Sequence, residues 1–283
     1  MLSALGKRSL RPGGKQLTLE LLAQLAIGGT DDVVEFAPGT GYTAQRTLDR
    51  NPQSYTAVEL DRDAAMALRK QLDDSCEILV GNAGNTTLPA QSADVVYGEA
   101  MLTLQPDDGK AEILTEAARL LRSGGRYGIH ELGLVPDDLS PGTKTAIYDD
   151  LAEITRVNSR PLTEAEWIER IESAGFSVNW ISRAPMALLS PRRVVDDEGV
   201  IRTLKFGYNV LTTPAARRRI SAMRSVFERA IERHRRCRRE GIMPIGFINT
   251  PTDSFTVSTR QASSGWATIP LSNLLCRVVV ELV

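Results

Sequence analysis

The run Val33-Val34-Glu35-Phe36-Ala37-Pro38-Gly39-Thr40-Gly41 joins a short apolar segment, a carboxylate and a turn with two glycines. Asp32 to Phe36 has the β-branched and aromatic content of a buried parallel strand, and Thr40 onward reads as a helix through Ala44, Thr47 and Leu48. Gly39 and Gly41 lack a Cβ, so the backbone turns sharply there and its amides stay open to a ligand. A strand, a glycine turn and a helix in that order form the place where open α/β sheets hold a nucleoside cofactor. The dinucleotide fingerprint needs glycine at its first position and glycine or alanine three residues after the middle one. Ala37 and Tyr42 stand there, so NAD fits badly.

The segments that follow repeat the pattern in order. Tyr55 to Glu59 is a second apolar strand ending in a carboxylate, which can accept both hydroxyls of a ribose. Asp61, just beyond, is the weaker candidate. Glu77 to Ala83 is a third strand running into Gly81-Asn82-Ala83, and Asp94 to Gly98 is a fourth, followed by Glu99-Ala100-Met101-Leu102. A helix from about Lys110 to Leu121 carries Ile113, Leu114, Ala117, Ala118 and Leu121 on one face and stops at Ser123-Gly124-Gly125, before a fifth strand that begins at Arg126. Thr163 and Glu166 have the spacing of a capping box, and Ser177 to Ser182 reads as the sixth strand.

The Glu-x-Ala-x-Gly-x-Gly pattern resembles the first motif of class I methyltransferases dependent on S-adenosylmethionine (SAM). Leu-Arg-Ser-Gly-Gly-Arg and Ser173-Ala174-Gly175-Phe176 are similar to later turns of the same family, in its small-molecule branch. The resemblance covers roughly residues 31 to 185. It implies an α/β fold with a doubly wound, mostly parallel, Rossmann-like sheet, from which this chain departs by a helical insertion near the C-terminus, read from the helical spacing of Val194, Ile201, Leu204, Tyr208 and Leu211. It also implies SAM as cofactor, with Glu35, Ala37, Gly39, Gly41, Glu59, Asn82, Ala83 and Glu99 around it. Asn82 stands where the family often has aspartate, and its amide can still accept from an adenine amine.

Residues 1–30 read as an N-terminal helical cap, with Leu17, Leu21, Leu22 and Leu25 on one side, residues 31–190 as the cofactor-binding core, and residues 191–283 as a helical insertion and C-terminal extension packing on that core. Either Ile245 to Ile248 or the terminal run Cys276 to Val283 suits the seventh strand. The helix opened by Pro214 carries ten arginines between Arg217 and Arg239, but Ile220, Met223, Phe227 and Ile231 share one face, so the arginines read as its solvated side. A nucleic-acid methyltransferase using that helix and a SAM-binding regulator without catalysis are the alternatives to an enzyme acting on a small molecule.

A net charge of −1 and a pI near 6.2 give no general pull toward nucleic acid or anionic lipid. Three scattered cysteines and two histidines argue against a disulfide framework and a zinc site, so no metal is expected. No signal peptide or spanning helix is read, which makes the cytoplasm the default and leaves the oligomeric state open. Methyl transfer needs a base only if the acceptor must lose a proton, and the groups expected at the carboxyl ends of strands four and five are Glu99, His130 and Glu131. His130 has the better intrinsic basicity, and Glu131 would orient a substrate or accept a proton. Neighbours on a strand point to opposite faces, so His130 and Glu131 share a pocket only if the strand has already ended.

Overall fold

A computed structural model describes residues 14–155, 157–184 and 241–251. Within them the chain alternates: α1 (Gly14–Leu25), β1 (Asp32–Phe36), α2 (Tyr42–Leu48), β2 (Ser54–Glu59), α3 (Arg62–Arg69), β3 (Glu77–Val80) and β4 (Ala93–Glu99). A 3₁₀ turn, Leu102–Leu104, leads to α4 (Asp107–Leu120), β5 (Leu121–Val135), α5 (Pro141–Thr155), β6 (Leu162–Thr163), α6 (Glu164–Ser173), β7 (Phe176–Arg183) and β8 (Gly241–Pro251). The sheet order is β3-β2-β1-β4-β5-β8-β7, with β6 beside the end of β5. Strands β1 to β5 are parallel, and β8 runs antiparallel between β5 and β7. The seventh strand of the expected pattern is therefore Gly241–Pro251. The helical insertion, its arginines and the terminal run lie outside the described residues.

Because side chains alternate along a strand, each central strand feeds two cores. Val34 and Phe36 of β1 pack with Ile113, Leu114 and Ala117 of α4 and with Trp167 and Ile171 of α6. Val33 faces the other way, onto a cluster holding Leu21, Leu22 and Leu25 of α1, Ala44 of α2 and Ala65 and Leu68 of α3. Gly128 of β5 has a packing reason: a Cβ there would meet Leu21 and Leu25 at 3.1 Å, so its absence lets α1 lie close on the sheet. Helix α1 is thus a core element, and Arg126 ties its end down by donating to the Leu25 and Ala26 carbonyls and pairing with Asp31. Among the described residues no helix is long and apolar enough to cross a membrane.

Helix α5 has no counterpart among the elements expected from sequence, and α4 ends one residue earlier than its pattern suggests. Leu121 already pairs with Ala93, and β5 continues through Glu131 to Val135. The capping box at α6 forms as expected: Thr163 Oγ1 accepts from the Glu166 amide, and Glu166 accepts from the Thr163 amide. Thr163→Ala should cost about 1 kcal/mol in urea unfolding, whereas Thr163→Ser should stay within about 0.5 kcal/mol of the parent.

A second latch holds the loop after β3 against α4. Glu116 accepts from the Thr86 amide at 2.9 Å, the Thr86 hydroxyl at 2.5 Å and the Arg119 guanidinium at 2.7 Å. The Arg119 contact, opposed by burial and reinforced by Thr86, pulls the Glu116 carboxyl from its ordinary 4.5 down to about 2. A depressed folded pKa gives stability that is present above pH 4.5 and lost as pH falls toward 2. Thermal melts across that window should lose about 2 kcal/mol more in the parent than in Glu116→Gln, allowing for partial screening at Arg119.

Candidate functional site

The strand order reverses between β1 and β4, and in an open α/β sheet the crevice beyond the carboxyl ends of those two strands receives the ligand. Three alternate residues after β1 take left-handed backbone angles: Ala37 at φ 50°, Gly39 at 57° and Gly41 at 72°. That sequence of bends folds the chain back into α2. The two glycines differ in what surrounds them. A Cβ on Gly39 would meet nothing nearer than the Ala37 carbonyl at 3.9 Å, so this side of the turn is open. A Cβ on Gly41 would come within 2.8 Å of the Leu68 side-chain end and 2.9 Å of the Gln71 amide, and its φ of 72° by itself favours glycine.

Glu59 ends β2 beside this turn and is 7% exposed. One carboxylate oxygen accepts from the Gly39 amide and the other from the Asp61 amide, both at 3.1 Å. An ionised carboxylate has about four acceptor positions, so the two amides fix its orientation while leaving positions for ligand hydroxyls. Asp61 caps α3, accepting from the amides of Asp63 and Ala64. Leu60, between them, is 72% exposed and offers an apolar surface at the lip of the crevice; the sequence reading missed it because one leucine carries no pattern. The open turn, the oriented carboxylate and the apolar lip fit a nucleoside.

Asn82 and Ala83 lie on the neighbouring loop. The Asn82 side-chain oxygen accepts from the Gly84 amide at 2.9 Å, which makes its amino group the freer end and turns the expected acceptor toward its own loop. Ala83 is 8% exposed and packs into the α4 core.

Glu35 lies near the end of β1, just before the glycine turn. It is 3% exposed, faces the α1–α3 side, and accepts from Tyr55 at 2.5 Å and Tyr97 at 2.6 Å. Tyr97 in turn meets the Thr47 hydroxyl of α2 at 2.7 Å. Burial, followed by the nearby Glu35 charge, pushes both phenols well above their ordinary range, which keeps them neutral donors. The network links β1, β2, β4 and α2 directly beneath the turn. Two strand tyrosines do not announce such a role in sequence, where they read as core aromatics.

The three candidate catalytic groups separate into two places. His130 and Glu99 are register partners on β5 and β4, and the His130 Nδ1 lies 3.7 Å from a Glu99 oxygen. That oxygen also accepts from Thr18 of α1 at 3.1 Å and Thr43 of α2 at 3.5 Å. Glu131 points to the opposite face, because β5 has not ended there. Its carboxylate accepts from the amides of Met101, Leu102 and Thr103 and from the Thr103 hydroxyl at 2.6–3.0 Å, holding the segment after β4. Burial pushes this carboxyl up, against the pull of those four donors. Because β5 runs on to Val135, the condition under which His130 and Glu131 would share a pocket is not met. Among the described residues no cluster of His, Cys, Asp and Glu suits a metal.

Residues 33–125 match a family model described as a methyltransferase domain. The chain is 29% identical over 215 residues to an uncharacterized protein of Haemophilus influenzae, covering 74% of this chain and 84% of that one. It is 27% identical over 173 residues to 27-O-demethylrifamycin SV methyltransferase of Amycolatopsis mediterranei, covering 59% of this chain and 62% of that protein. Among solved structures it resembles phosphoethanolamine N-methyltransferase 2 of Haemonchus contortus, with a TM-score of 0.67 and 14% identity over 89% of this chain and 56% of that one. Motif order and strand order agree with these matches: residues 33–125 resemble a methyltransferase domain, and the fold around them is a mostly parallel, Rossmann-like sheet.

Proposed function

We propose that this protein transfers a methyl group from SAM to a small organic acceptor, in the crevice between the ends of β1 and β4. The observation that carries this reading is Glu59, a carboxylate oriented by the amide of the glycine turn at the switch point of the sheet. In it, Glu59 takes the ribose hydroxyls, the open side of Gly39 admits the cofactor chain, Leu60 lies against the base, and Asn82 and Ala83 line the far end. SAM supplies a methyl group on a sulfonium, already activated for displacement. The protein's own task is then to hold the acceptor in line and to keep water out.

A small acceptor is favoured by the near-zero net charge, which offers no broad attraction for polyanions. The relatives named above, one acting on a rifamycin and one on phosphoethanolamine, add support at the level of analogy. A cytoplasmic location is part of the same proposal. It is tested by incubating the protein with methyl-labelled SAM and, separately, the small-molecule filtrate of a cell extract and purified RNA and DNA. Label should enter the filtrate alone; label in nucleic acid overturns the acceptor class.

Glu59→Ala should weaken S-adenosylhomocysteine binding about 10- to 100-fold in calorimetry, the loss of a charge-assisted contact, while the melting temperature changes little. The two glycines should part company. Gly39→Val should lower affinity more than stability, and Gly41→Val should unfold the α2–α3 corner, visible as a large fall in melting temperature before any ligand is added.

A further inference from the structure

Asn82 is the crevice residue whose expected chemistry the structure turns around. It is exposed on the loop after β3, where its side-chain oxygen accepts from the Gly84 amide and its backbone carbonyl from the Asn85 amide, both at 2.9 Å. A backbone N–H can only donate, so the carboxamide atom facing Gly84 must be the oxygen. The prong left for a ligand is the amino group. A carboxylate also stands beside this loop: Asn82 Oδ1 and Glu112 Oε2 of α4 each lie 3.5 Å from the point where a Gly84 Cβ would sit, so the two are near neighbours. An aspartate at position 82 would place a second negative charge there, whereas the amide keeps the same turn uncharged.

We infer that position 82 meets the base of the cofactor with a hydrogen-bond donor, so that the site accepts a purine without selecting the 6-amino group of adenine. This deepens the function proposed above and rests on it. With the ribose on Glu59, the methyl-bearing sulfur lies toward the switch point between β1 and β4, and the base is sent the other way, toward β3. The loop it meets there is fixed by main-chain pairing. Val80 is the register partner of Glu59, and the Gly81 amide donates to the Glu59 carbonyl at 3.0 Å, which sets Asn82 just past the ribose carboxylate. The Watson–Crick edge of adenine offers a donor, the 6-amino group, and an acceptor, N1; hypoxanthine offers an acceptor, O6, and a donor, N1–H. A carboxylate would take the adenine amine and repel O6. The Asn82 amino group serves either ring, donating to N1 of adenine or to O6 of hypoxanthine.

The test is calorimetry of the full chain with S-adenosylhomocysteine and with its 6-deaminated analogue, S-inosylhomocysteine. The parent should bind the two with affinities less than about tenfold apart, because one neutral contact replaces another. Asn82→Asp still offers an oxygen to the Gly84 amide, so the turn survives, and it sets a charged acceptor against the base. Made together with Glu112→Gln, which removes the neighbouring charge, it should raise the preference for the adenosyl compound about 10- to 100-fold over Glu112→Gln alone. A parent preference for the adenosyl compound above about tenfold overturns the inference, since the 6-amino group is then read. An unchanged ratio in the double variant overturns it as well, because the base then does not reach position 82. A parent that binds neither compound strikes the proposed function itself and takes this inference with it.

Discussion

The left-handed turn at the end of β1 is the constraint on which the rest of the site depends. The strand is buried between β2 and β4, so it leaves the sheet only at its carboxyl end, and the next helix must start within a few residues. Left-handed angles at 37, 39 and 41 make that reversal possible. Glycine occupies two of the three positions at little steric cost, while alanine at 37 holds an angle that disfavours a side chain by roughly 1–2 kcal/mol. What holds it there is tertiary: the Ala37 amide donates to Val58 of β2, and Glu59 accepts from Gly39. Cofactor recognition and backbone strain thus meet at the same carboxylate.

Beneath the turn, the α1–α3 face of the sheet contains two polar assemblies where an apolar core would be expected. The Glu35, Tyr55, Tyr97 and Thr47 network has donors and acceptors matched, and it locks α2 to three strands. The group around Glu99 and His130 is matched only in part, since the imidazole has no hydrogen bond. The contrast separates a fully matched polar network from a partly matched one, and burial makes each unsatisfied group costly. On the opposite face Glu131 illustrates the satisfied case, with four donors fixing the segment after β4.

The sequence by itself determined the order of strands β1 to β5 and β7 and of helices α1, α2, α4 and α6, but not α3 or α5. Each central strand is a short apolar run bounded by a carboxylate or glycine, a local signal that needs no knowledge of distant residues. It likewise determined the capping box at Thr163 and the acidic end of β2, both set by spacing within a few residues. Tertiary structure decided which way the polar groups face. Strand alternation turns Glu35 to the α1–α3 side, where two tyrosines 20 and 62 residues away donate to it. His130 and Glu131 are neighbours in sequence and belong to opposite cores, because β5 runs on to Val135. Gly41 reads as a ligand cradle, and the structure adds a left-handed φ of 72° and the side-chain ends of Leu68 and Gln71 beside it. The choice of Gly241–Pro251 as the strand between β5 and β7 was also beyond periodicity, since an antiparallel strand is selected by the register of both neighbours and not by its own pattern.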